Sequence, residues 1–390
     1  MNITRRAGMA ALAGATALTM VGAPLAAQDD SIVVGGSLPL TGVFAFAGIA
    51  IEKGMSDYFE IANEEGGIDG RQIEFVYEDT GYEVNQSVAV FNQLTSQNDI
   101  DMYYGDSTGF AKTIAPELQR RGDMIMGGAS FASELNDPEE FPYIFIPGPD
   151  YIQQVGILLE YIADENPGAS IALVNSDTEF GRDPIETTKE RASELGLEVV
   201  EEIITPPGAA DVSTEVLRLR RSRPDYIIFH GYVLSPIPEF VSQIRELGLD
   251  TQFMGTFWSM DSSLWQSVGE AADGFLGVMP YRYYYDEEEA PMLDRIREMR
   301  PEYQATGYMQ GFFSAMLMTE AARRAVANGA ELNGDTLKSA LSSIEEFDTG
   351  GIIGVPVSVK GNAVPFGRVY EFNAESGQME PVSDWIELED

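Results

Sequence analysis

Short apolar runs alternate along the chain with longer segments whose apolar residues recur every three or four positions. The first run, Ile32-Val33-Val34, ends in Gly35-Gly36-Ser37, and the segment after it places Ile51, Met55 and Ala62 on one helical face. An apolar run bounded by glycine is typical of a buried strand, and a 3.6-residue repeat is typical of an amphipathic helix. Strands that alternate with helices in this way predict parallel sheets covered on both faces.

The same pattern continues through most of the chain. The predicted strands cover residues 32–34, 72–78, 101–104, 124–126, 143–146, 171–174, 198–204, 226–229 and 252–255. The predicted helices cover residues 51–62, 85–97, 108–121, 151–165, 181–195, 211–222, 236–247 and 303–328. Because 390 residues exceed one ordinary core and suit two, we predict two α/β lobes in series.

The late part of the chain changes character. Short strands at 355–359 and 368–372 have no helix between them, which predicts a C-terminal addition to an existing sheet. The acidic run Asp286 to Glu289 lacks the alternating acids and turn glycine of a calcium loop, and we interpret it as the first turn of a helix. Methionine packs irregular cores readily, so Met309, Met316 and Met318 are predicted core residues.

The first 27 residues have the layout of an export signal. Arg5 and Arg6 form a positive start, Ala7 to Val21 are small or apolar, and Ala23 to Ala27 supplies small residues near a cleavage point. The apolar stretch is shorter than the ~20 residues of a membrane span. We therefore expect residues 1–27 to be a removed signal peptide, with the general secretory and twin-arginine routes both open.

Composition narrows the compartment and the partners. The absence of cysteine excludes disulfides, thiolate metal sites, cysteine nucleophiles and an acylated N-terminal cysteine. An exported protein without a lipid tether is expected in a Gram-negative periplasm. The formal net charge of −39 repels nucleic acid and anionic membrane surfaces, so neither is an expected partner.

The sequence offers little for catalysis. Its single histidine, His230, ends a predicted strand, and a lone histidine is more often a hydrogen-bonded structural residue than a base. The sequence has no nucleophile elbow, phosphate-binding loop or cluster of metal ligands, and its first strand does not end in a dinucleotide-binding fingerprint. We predict no enzyme activity, no catalytic residue, no metal and no cofactor.

Binding has better support, because open parallel sheets bind ligands beyond the carboxyl ends of their strands. In the first half, these ends carry Ser37, Ser107-Thr108 and Ala129-Ser130. Ser107 or Thr108 could equally cap the helix that follows, so a plain N-cap and a ligand contact both stay open. In the second half, the strand ends carry aromatic residues: Phe180, Tyr232, Phe257 and Trp258.

A set of short segments recurs in a recognisable order. The segments are Leu38–Gly42, Asn63–Arg71, Tyr77–Thr80, Gly105–Thr108, Gln252–Gly255 and Met279–Tyr283. In these segments the chain resembles the leucine/isoleucine/valine-binding proteins of ABC transporters, which are type I periplasmic binding proteins. Each segment is short, but the ordered set spans essentially the whole chain after the signal.

The resemblance implies an α/β fold of two Rossmann-like lobes with parallel sheets, joined by a three-crossover hinge. The crossovers are expected near Pro147–Pro149, Pro280–Arg282 and Gly350–Val355. Residues 28–147 plus 281–350 would form the N-terminal lobe, and residues 148–280 plus 351–390 the C-terminal lobe. The lobes would close around a ligand in the cleft between them.

The resemblance also implies which residues touch the ligand. Hydroxyls and backbone groups of the first lobe hold its carboxylate, and aromatic rings of the second lobe face them. The residues at these positions are Ser107, Thr108, Ala129 and Ser130 on the first side and Phe180 and Tyr232 on the second, with Phe46 and Phe257 adding aromatic surface. We expect Ser107, Ser130, Tyr232 and Phe257 to converge on one shared cavity.

One departure from the family concerns the ligand's ammonium group. Amino-acid binders place an acidic residue shortly after the strand that matches Gln252–Gly255, and the corresponding position here is Phe257. A buried ammonium without a partner is costly, so the sequence favours an apolar or aromatic carboxylate as ligand. A branched-chain or other hydrophobic amino acid, or its amide, is the alternative, because Asp106 or Asp261 could supply the missing anion.

The predicted function is capture of this small organic anion for an ABC importer, whose permease and ATPase subunits lie in the inner membrane. The binding protein is expected to be a monomer. Two alternatives stay open: a sensory binding protein with the same lobes, and an exported amidase. The sequence alone does not separate transport from sensing.

Overall fold

Two sheets, each at the centre of one lobe, organise the chain. The computed structural model describes residues 31–233, 235–262, 265 and 268–388. Strands and helices alternate in both lobes, which confirms the predicted α/β class with a parallel sheet in each lobe. The predicted signal peptide, residues 1–27, lies outside the described residues.

The first lobe is built on four parallel strands. They are β1 (Ile32–Leu38), β2 (Ile73–Asp79), β3 (Met102–Gly105) and β4 (Ile125–Gly128), in the order β2-β1-β3-β4. The helices that follow the first three strands are α1 (Ala45–Glu64), α2 (Val84–Gln97) and α3 (Thr108–Arg121). The central strands β1 and β3 are almost entirely buried, as expected for a sheet covered on both faces.

The second lobe has a larger, mixed sheet. Its parallel strands are β5 (Ser170–Ser176), β6 (Glu198–Thr205), β7 (Tyr226–His230), β8 (Gln252–Gly255) and β9 (Leu276–Met279). Its antiparallel strands are β10 (Phe366–Asn373), β11 (Gln378–Pro381) and β12 (Ile386–Glu387). Its helices are α4 (Tyr151–Glu165), α5 (Glu179–Arg182), α6 (Ile185–Glu194), α7 (Ser213–Ser222) and α8 (Ile237–Glu246). Since β10 pairs with β9, the predicted C-terminal addition to an existing sheet is confirmed.

Three late helices return the chain to the first lobe. They are α9 (Pro291–Met299), α10 (Thr306–Ala327) and α11 (Gly334–Ser342). Helix α10 packs directly on α1, where a Cβ at Gly54 would lie 2.1 Å from the Tyr308 carbonyl oxygen and one at Gly311 would lie 2.3 Å from the Ile51 carbonyl oxygen. The two helices therefore touch backbone to backbone. The residue boundaries proposed for the lobes stay a prediction.

The predicted crossover segments are hydrogen-bonded to one another. The Tyr281 hydroxyl donates to the Pro147 carbonyl, which joins the first two crossovers. The Arg282 N–H donates to the Ile352 carbonyl at 2.9 Å, which joins the second and third. These bonds connect the segments about which the lobes would rotate.

Two predicted strands are wrong. Residues 143–146 and 355–359 form isolated bridges, in which Ile144 pairs with Met126 and Phe347 with Val357. Both segments are apolar, but each runs beside a neighbour for a single pair only. Residues 144–146 are buried, whereas Val357 is the one buried residue of 355–359, and apolar character did not indicate a continued ladder in either segment.

The predicted helix 181–195 is interrupted. It begins two residues earlier, as α5, and restarts as α6 after Asp183-Pro184. Pro184 has no N–H group with which to continue the helical hydrogen bonds, so a break at this point is expected. At the break, Asp183 accepts hydrogen bonds from Ser133 of the first lobe.

The acidic run 286–289 is not the first turn of a helix, because α9 begins only at Pro291. Glu288 instead forms ion pairs with Arg282 and with Arg368, the latter at 2.9 Å. Asp286 accepts a hydrogen bond of 2.6 Å from the Tyr370 hydroxyl. The run connects the second crossover to the C-terminal strands.

The remaining prediction about the late segment is confirmed. Met309, Met316 and Met318 are at most 2% exposed and lie in the core of the first lobe. Within the described part of the chain, no helix combines the length and the apolarity that a membrane span requires.

Candidate functional site

A small cavity lies beyond the carboxyl ends of strands from both sheets. Its volume is about 30 Å³, and we call it the cleft cavity. Residues of the first lobe that line it are Pro39, Phe44, Ala47, Ile51, Tyr82, Asp106, Ser107, Thr108 and Ala129. Tyr151, Phe180, Val233 and Trp258 line it from the second lobe. Seven of the parallel strands end within four residues of a lining residue, as expected for a ligand site in open α/β sheets.

A buried carboxylate forms one part of the wall. Asp106 is 1% exposed; its Oδ2 accepts hydrogen bonds from the hydroxyls of Thr80 and Ser87, and its Oδ1 accepts one of 2.9 Å from Ser107. Burial raises the pKa of Asp106, and the three hydroxyl donors oppose that shift. Its side-chain hydrogen-bond donors are these three neutral hydroxyls, and the described residues that line the cavity include no lysine, arginine or histidine. This carboxylate would therefore gain from a positively charged ligand group.

Ser107 caps helix α3. Its Oγ accepts a hydrogen bond of 3.2 Å from the Phe110 N–H and donates its own proton to Asp106. The N-cap interpretation of Ser107 is thus confirmed. Its hydroxyl proton is donated to Asp106 and is not available to a ligand. Thr108 and Gly109 are the first two residues of α3. Their N–H groups have no acceptor within the helix, so they are available to a ligand at the helix N-terminus.

Neutral hydrogen-bond donors form a second part of the wall. The Thr108 and Ser130 hydroxyls are 2.9 Å apart, and Ser130 Oγ also accepts from the Ala132 N–H at 3.2 Å. Burial raises the pKa of Tyr151, while hydrogen bonds from the Phe131 backbone, the Thr108 hydroxyl and the Trp258 indole act in the opposite direction. The Tyr151 hydroxyl, the Thr108 hydroxyl and the Trp258 N–H are therefore close neighbours.

Aromatic rings close the rest of the cavity. Phe44 and Tyr82 have ring centroids 4.1 Å apart on the first lobe, and Tyr151 and Phe180 have centroids 4.9 Å apart on the second. Among the described residues that line the cavity, none is lysine, arginine or histidine. The site thus combines one acid, several neutral donors and an apolar surround.

His230 supports this wall from behind. Its Nε2 lies 2.9 Å from the Phe180 carbonyl, and its Nδ1 lies 2.8 Å from the Thr256 hydroxyl. Burial lowers the pKa of His230 to about 4, so the ring is neutral near pH 7, with Nε2 donating to Phe180 and Nδ1 accepting from Thr256. The expected structural role of this histidine is therefore confirmed.

The structure brings four of the predicted site residues to the cleft cavity. They are Ser107, Thr108, Ala129 and Phe180. The Ala129 N–H donates to the Gly105 carbonyl at 2.9 Å, so this residue offers the ligand a surface and not an amide proton. Direct contact of these residues with a ligand stays a prediction.

The expected convergence of Ser107, Ser130, Tyr232 and Phe257 on one cavity is wrong. Ser130 lies behind Thr108, to which it is hydrogen-bonded. The Tyr232 hydroxyl donates to the Asn175 carbonyl at 2.6 Å, and its ring lies in the core of the second lobe. Phe257 is fully buried, with its ring centroid 5.7 Å from that of Phe131.

Phe46 lies at a different cavity. It lines a neighbouring space of about 10 Å³, together with Asp261 and Thr306. Asp261 Oδ2 accepts a hydrogen bond of 2.8 Å from the Thr306 N–H at the start of α10. Of the two acids considered from the sequence, Asp106 therefore lines the cleft cavity and Asp261 does not.

Sequence reasoning missed Tyr82 and Tyr151. Tyr151 is the first residue of α4, and the N-cap residue Asp150 forms a capping box with Gln153. The sequence therefore indicated a helix that starts directly after the first crossover. Tyr82 has φ 66°, an uncommon conformation for a bulky residue that is often found at functional sites. The residues around Tyr82 in the sequence form no pattern that predicts this conformation.

In the described part of the chain, no group of three or more histidine, cysteine, aspartate or glutamate side chains is arranged to hold a metal ion.

The chain is similar in sequence to known amino-acid-binding proteins. The chain is 27% identical over 303 residues to the Leu/Ile/Val-binding protein of Escherichia coli K12, which covers 77% of this chain and 80% of that protein. It is 23% identical over 273 residues to a leucine-, isoleucine-, valine-, threonine- and alanine-binding protein of Pseudomonas aeruginosa, covering 69% and 71% of the two chains.

Solved structures agree with these relatives. A branched-chain amino acid ABC transporter protein from Thermus thermophilus with bound valine superposes with a TM-score of 0.84 at 25% identity, covering 92% of this chain and 97% of that one. A solute-binding protein from Rhodopseudomonas palustris with 3,4-dihydroxybenzoic acid superposes at 0.77 and 21% identity, covering 92% and 98%, and shares the fold. The periplasmic binding protein family model matches residues 31–378. The chain belongs to the periplasmic binding protein family.

Proposed function

We propose that the chain is the substrate-binding component of an ABC importer and that it binds a small apolar α-amino acid in the cleft cavity. The observation that carries the proposal is the buried carboxylate of Asp106 in the same cavity as the neutral donors of Thr108 and Tyr151. The carboxylate would attract the ligand's ammonium, the donors would hold its carboxylate, and the aromatic rings would surround its side chain.

The charge balance of the cavity favours a zwitterion. A buried carboxylate without a cation is costly, and a ligand ammonium would offset that cost. A ligand with only a carboxylate would place a second negative charge beside Asp106. Two adjacent carboxylates raise each other's pKa, so such a ligand would bind only if one of the two takes up a proton.

The departure at Phe257 has a structural counterpart. The ring of Phe257 is buried against Phe131 of the first lobe, at the position where the family resemblance implies an acid. Asp106, from the first lobe, would take over the ammonium contact. The names of the relatives, which include leucine, isoleucine and valine binding, support the same ligand class.

An aromatic carboxylate is the second candidate, and the rings of Phe44, Tyr82, Tyr151 and Phe180 favour it. In that case Asp106 would be protonated, in line with the direction in which burial moves its pKa. The two candidates therefore differ in one property, the charge of Asp106 in the complex.

The proposal includes the compartment and the partners. Export through a cleavable signal at residues 1–27 would deliver the protein to the periplasm, where it would act as a monomer and dock on inner-membrane permease and ATPase subunits. A sensory role would use the same site with a receptor as partner. Genes for permease and ATPase subunits beside this gene would favour transport.

Binding without turnover is part of the proposal. The amidase alternative would need a base at the cavity, and His230 lies behind Phe180 with both ring nitrogens hydrogen-bonded. The curated relatives are described as binding proteins. Turnover of an amide that is lost in His230→Gln would revive the alternative.

Titration calorimetry with three ligands tests the proposal. The protein is first unfolded and refolded to release any retained ligand, and is then titrated with L-valine, isovalerate and benzoate. Isovalerate keeps the apolar carboxylate of valine and lacks the ammonium group. We expect L-valine to bind about 100-fold more tightly than isovalerate, as is typical when one partner of a buried charge pair is removed.

The other outcomes are equally informative. Tighter binding of benzoate or isovalerate than of L-valine would favour the second candidate and contradict the first. Failure of all three ligands to bind refolded protein would contradict both candidates.

A further inference from the structure

The cleft cavity and the smaller cavity at Phe46 share a wall. Ala47, Val233 and Trp258 line both spaces. Trp258 is the largest of the three side chains and is 7% exposed. Its indole ring is thus the main barrier between two neighbouring cavities in the same cleft.

The position of this ring is fixed on several sides. Trp258 follows β8 in a short 3₁₀ turn, and its ring centroid lies 4.6 Å from that of Phe257 and 6.1 Å from that of Phe131. Trp258 and Tyr151 line the same side of the cleft cavity, that of the second lobe. A side chain held on two sides by ring contacts acts as a rigid wall.

The second cavity suits the end of a longer ligand. The ring of Phe46 gives it an apolar face, and Gly307 brings the start of α10 close to Ala47. The volume of the second cavity is about 10 Å³ and that of the cleft cavity is about 30 Å³. Removal of the indole ring between them would join the two cavities. Space of this kind beyond a bulky residue extends a pocket when the residue is made smaller.

We propose that Trp258 is the specificity-determining residue that limits the length of the ligand's side chain. With tryptophan in place, the pocket accepts short branched apolar side chains. With a small residue there, the two cavities join and admit a longer apolar amino acid such as L-phenylalanine. This inference rests on the proposed function, because it takes the cleft cavity as the ligand site.

The test compares Trp258→Ala and Trp258→Phe with the unchanged protein by titration calorimetry, using L-valine and L-phenylalanine. Trp265→Phe is the matched control, since Trp265 is a buried tryptophan of the same lobe that packs on Phe275 and lines neither cavity. The readout is the ratio of the two affinities within one variant, which does not depend on the folded fraction.

We expect the affinity ratio of L-phenylalanine to L-valine to rise at least about tenfold in Trp258→Ala. Changes in the size of an apolar pocket typically alter the discrimination between ligands by about this factor or more. The ratio in Trp258→Phe should lie between those of the unchanged protein and Trp258→Ala. This variant also keeps the test valid if Trp258→Ala fails to fold. Trp265→Phe should leave the ratio unchanged. An unchanged ratio in both Trp258 variants would overturn the inference while leaving the proposed function intact, whereas failure of the unchanged protein to bind either ligand would overturn both.

Discussion

The hydroxyl of Ser107 donates a 2.9 Å hydrogen bond to Oδ1 of Asp106, the residue immediately before it. Ser107 also caps α3, so a single side chain links the buried acid to the helix whose N-terminus faces the cleft cavity. An anionic carboxylate and a helix N-terminus placed side by side offer complementary charges to a ligand that carries both signs. This pairing is the structural basis for proposing an amino acid as ligand.

Contacts between the lobes should control how long the ligand stays bound. Asp183, from the second lobe, accepts hydrogen bonds from the Ser133 N–H at 3.2 Å and from its hydroxyl at 2.9 Å. Neither residue lies in the cleft cavity wall. We expect Asp183→Ala to raise the ligand dissociation rate about tenfold, because losing such hydrogen bonds costs about 1–2 kcal/mol in the closed state.

Stopped-flow tryptophan fluorescence after dilution of the complex would measure that rate. Asp177→Ala is the control, because Asp177 pairs with Arg182 on the same segment at about half exposure for both side chains. An equal dissociation rate in Asp183→Ala and the unchanged protein would show that this contact does not hold the lobes together.

Acid should destabilise the protein through His230. Its pKa is about 4 in the folded protein because of burial, against an ordinary value of 6.5. Between these two values the unfolded chain binds a proton that the folded protein does not, so stability is complete above about pH 6.5 and falls as the pH drops towards 4. We expect this one group to remove about 3 kcal/mol over that range.

Urea unfolding at pH 7.5 and at pH 4.5 would measure the effect. His230→Gln cannot titrate in this range, so its loss of stability between the two pH values should be smaller than that of the unchanged protein by roughly 2 to 3 kcal/mol. Equal losses would mean that His230 is solvated or protonated in the folded state.

The contact between α1 and α10 should tolerate no side chain at Gly54. A Cβ there would lie 2.1 Å from the Tyr308 carbonyl oxygen, which is backbone and cannot rotate away. We expect Gly54→Ala to lower the free energy of unfolding by about 2 kcal/mol or more, as overpacking of a core typically does. Gly156→Ala in α4 is the matched control, because a Cβ there would meet no atom within 4 Å.

Thermal and urea unfolding of the two variants would compare them directly. Gly156→Ala should be neutral or more stable by about 0.5 to 1 kcal/mol, since alanine favours a helix over glycine. Similar stabilities for the two variants would mean that α1 and α10 are not packed as closely as described.

Much of the fold could be predicted from sequence because the apolar periodicity is strong. The strands from β1 to β8 and most of the helices follow it, and the addition of β10 to the second sheet was expected from strands without an intervening helix. Strand β9 and the helices α9 and α11 were not predicted. The failures have local causes. Pro184 breaks a helix that periodicity alone continues, and the acidic run near Glu288 is held by arginines from elsewhere in the chain.

The site was harder to predict because sequence does not tell which way a side chain points after a strand ends. Gly231, at φ 87°, turns the chain so that Tyr232 returns to the core of its own lobe. Phe257 and Trp258 are neighbours, yet only Trp258 reaches the cavity. The Asp106 to Thr108 segment was identified because a strand end and a helix start coincide there.

The pairing of Asp106 with a ligand ammonium is the central claim, and one calorimetric comparison tests it most directly. L-valine and isovalerate are titrated into the unchanged protein, into Asp106→Asn, and into Asp57→Asn, a control that alters a carboxylate equally buried in the same lobe but paired with Arg300 away from the cavity. We predict that the preference for L-valine, about 100-fold in the unchanged protein, disappears in Asp106→Asn and persists in Asp57→Asn. An undiminished preference for L-valine in folded Asp106→Asn would contradict the account.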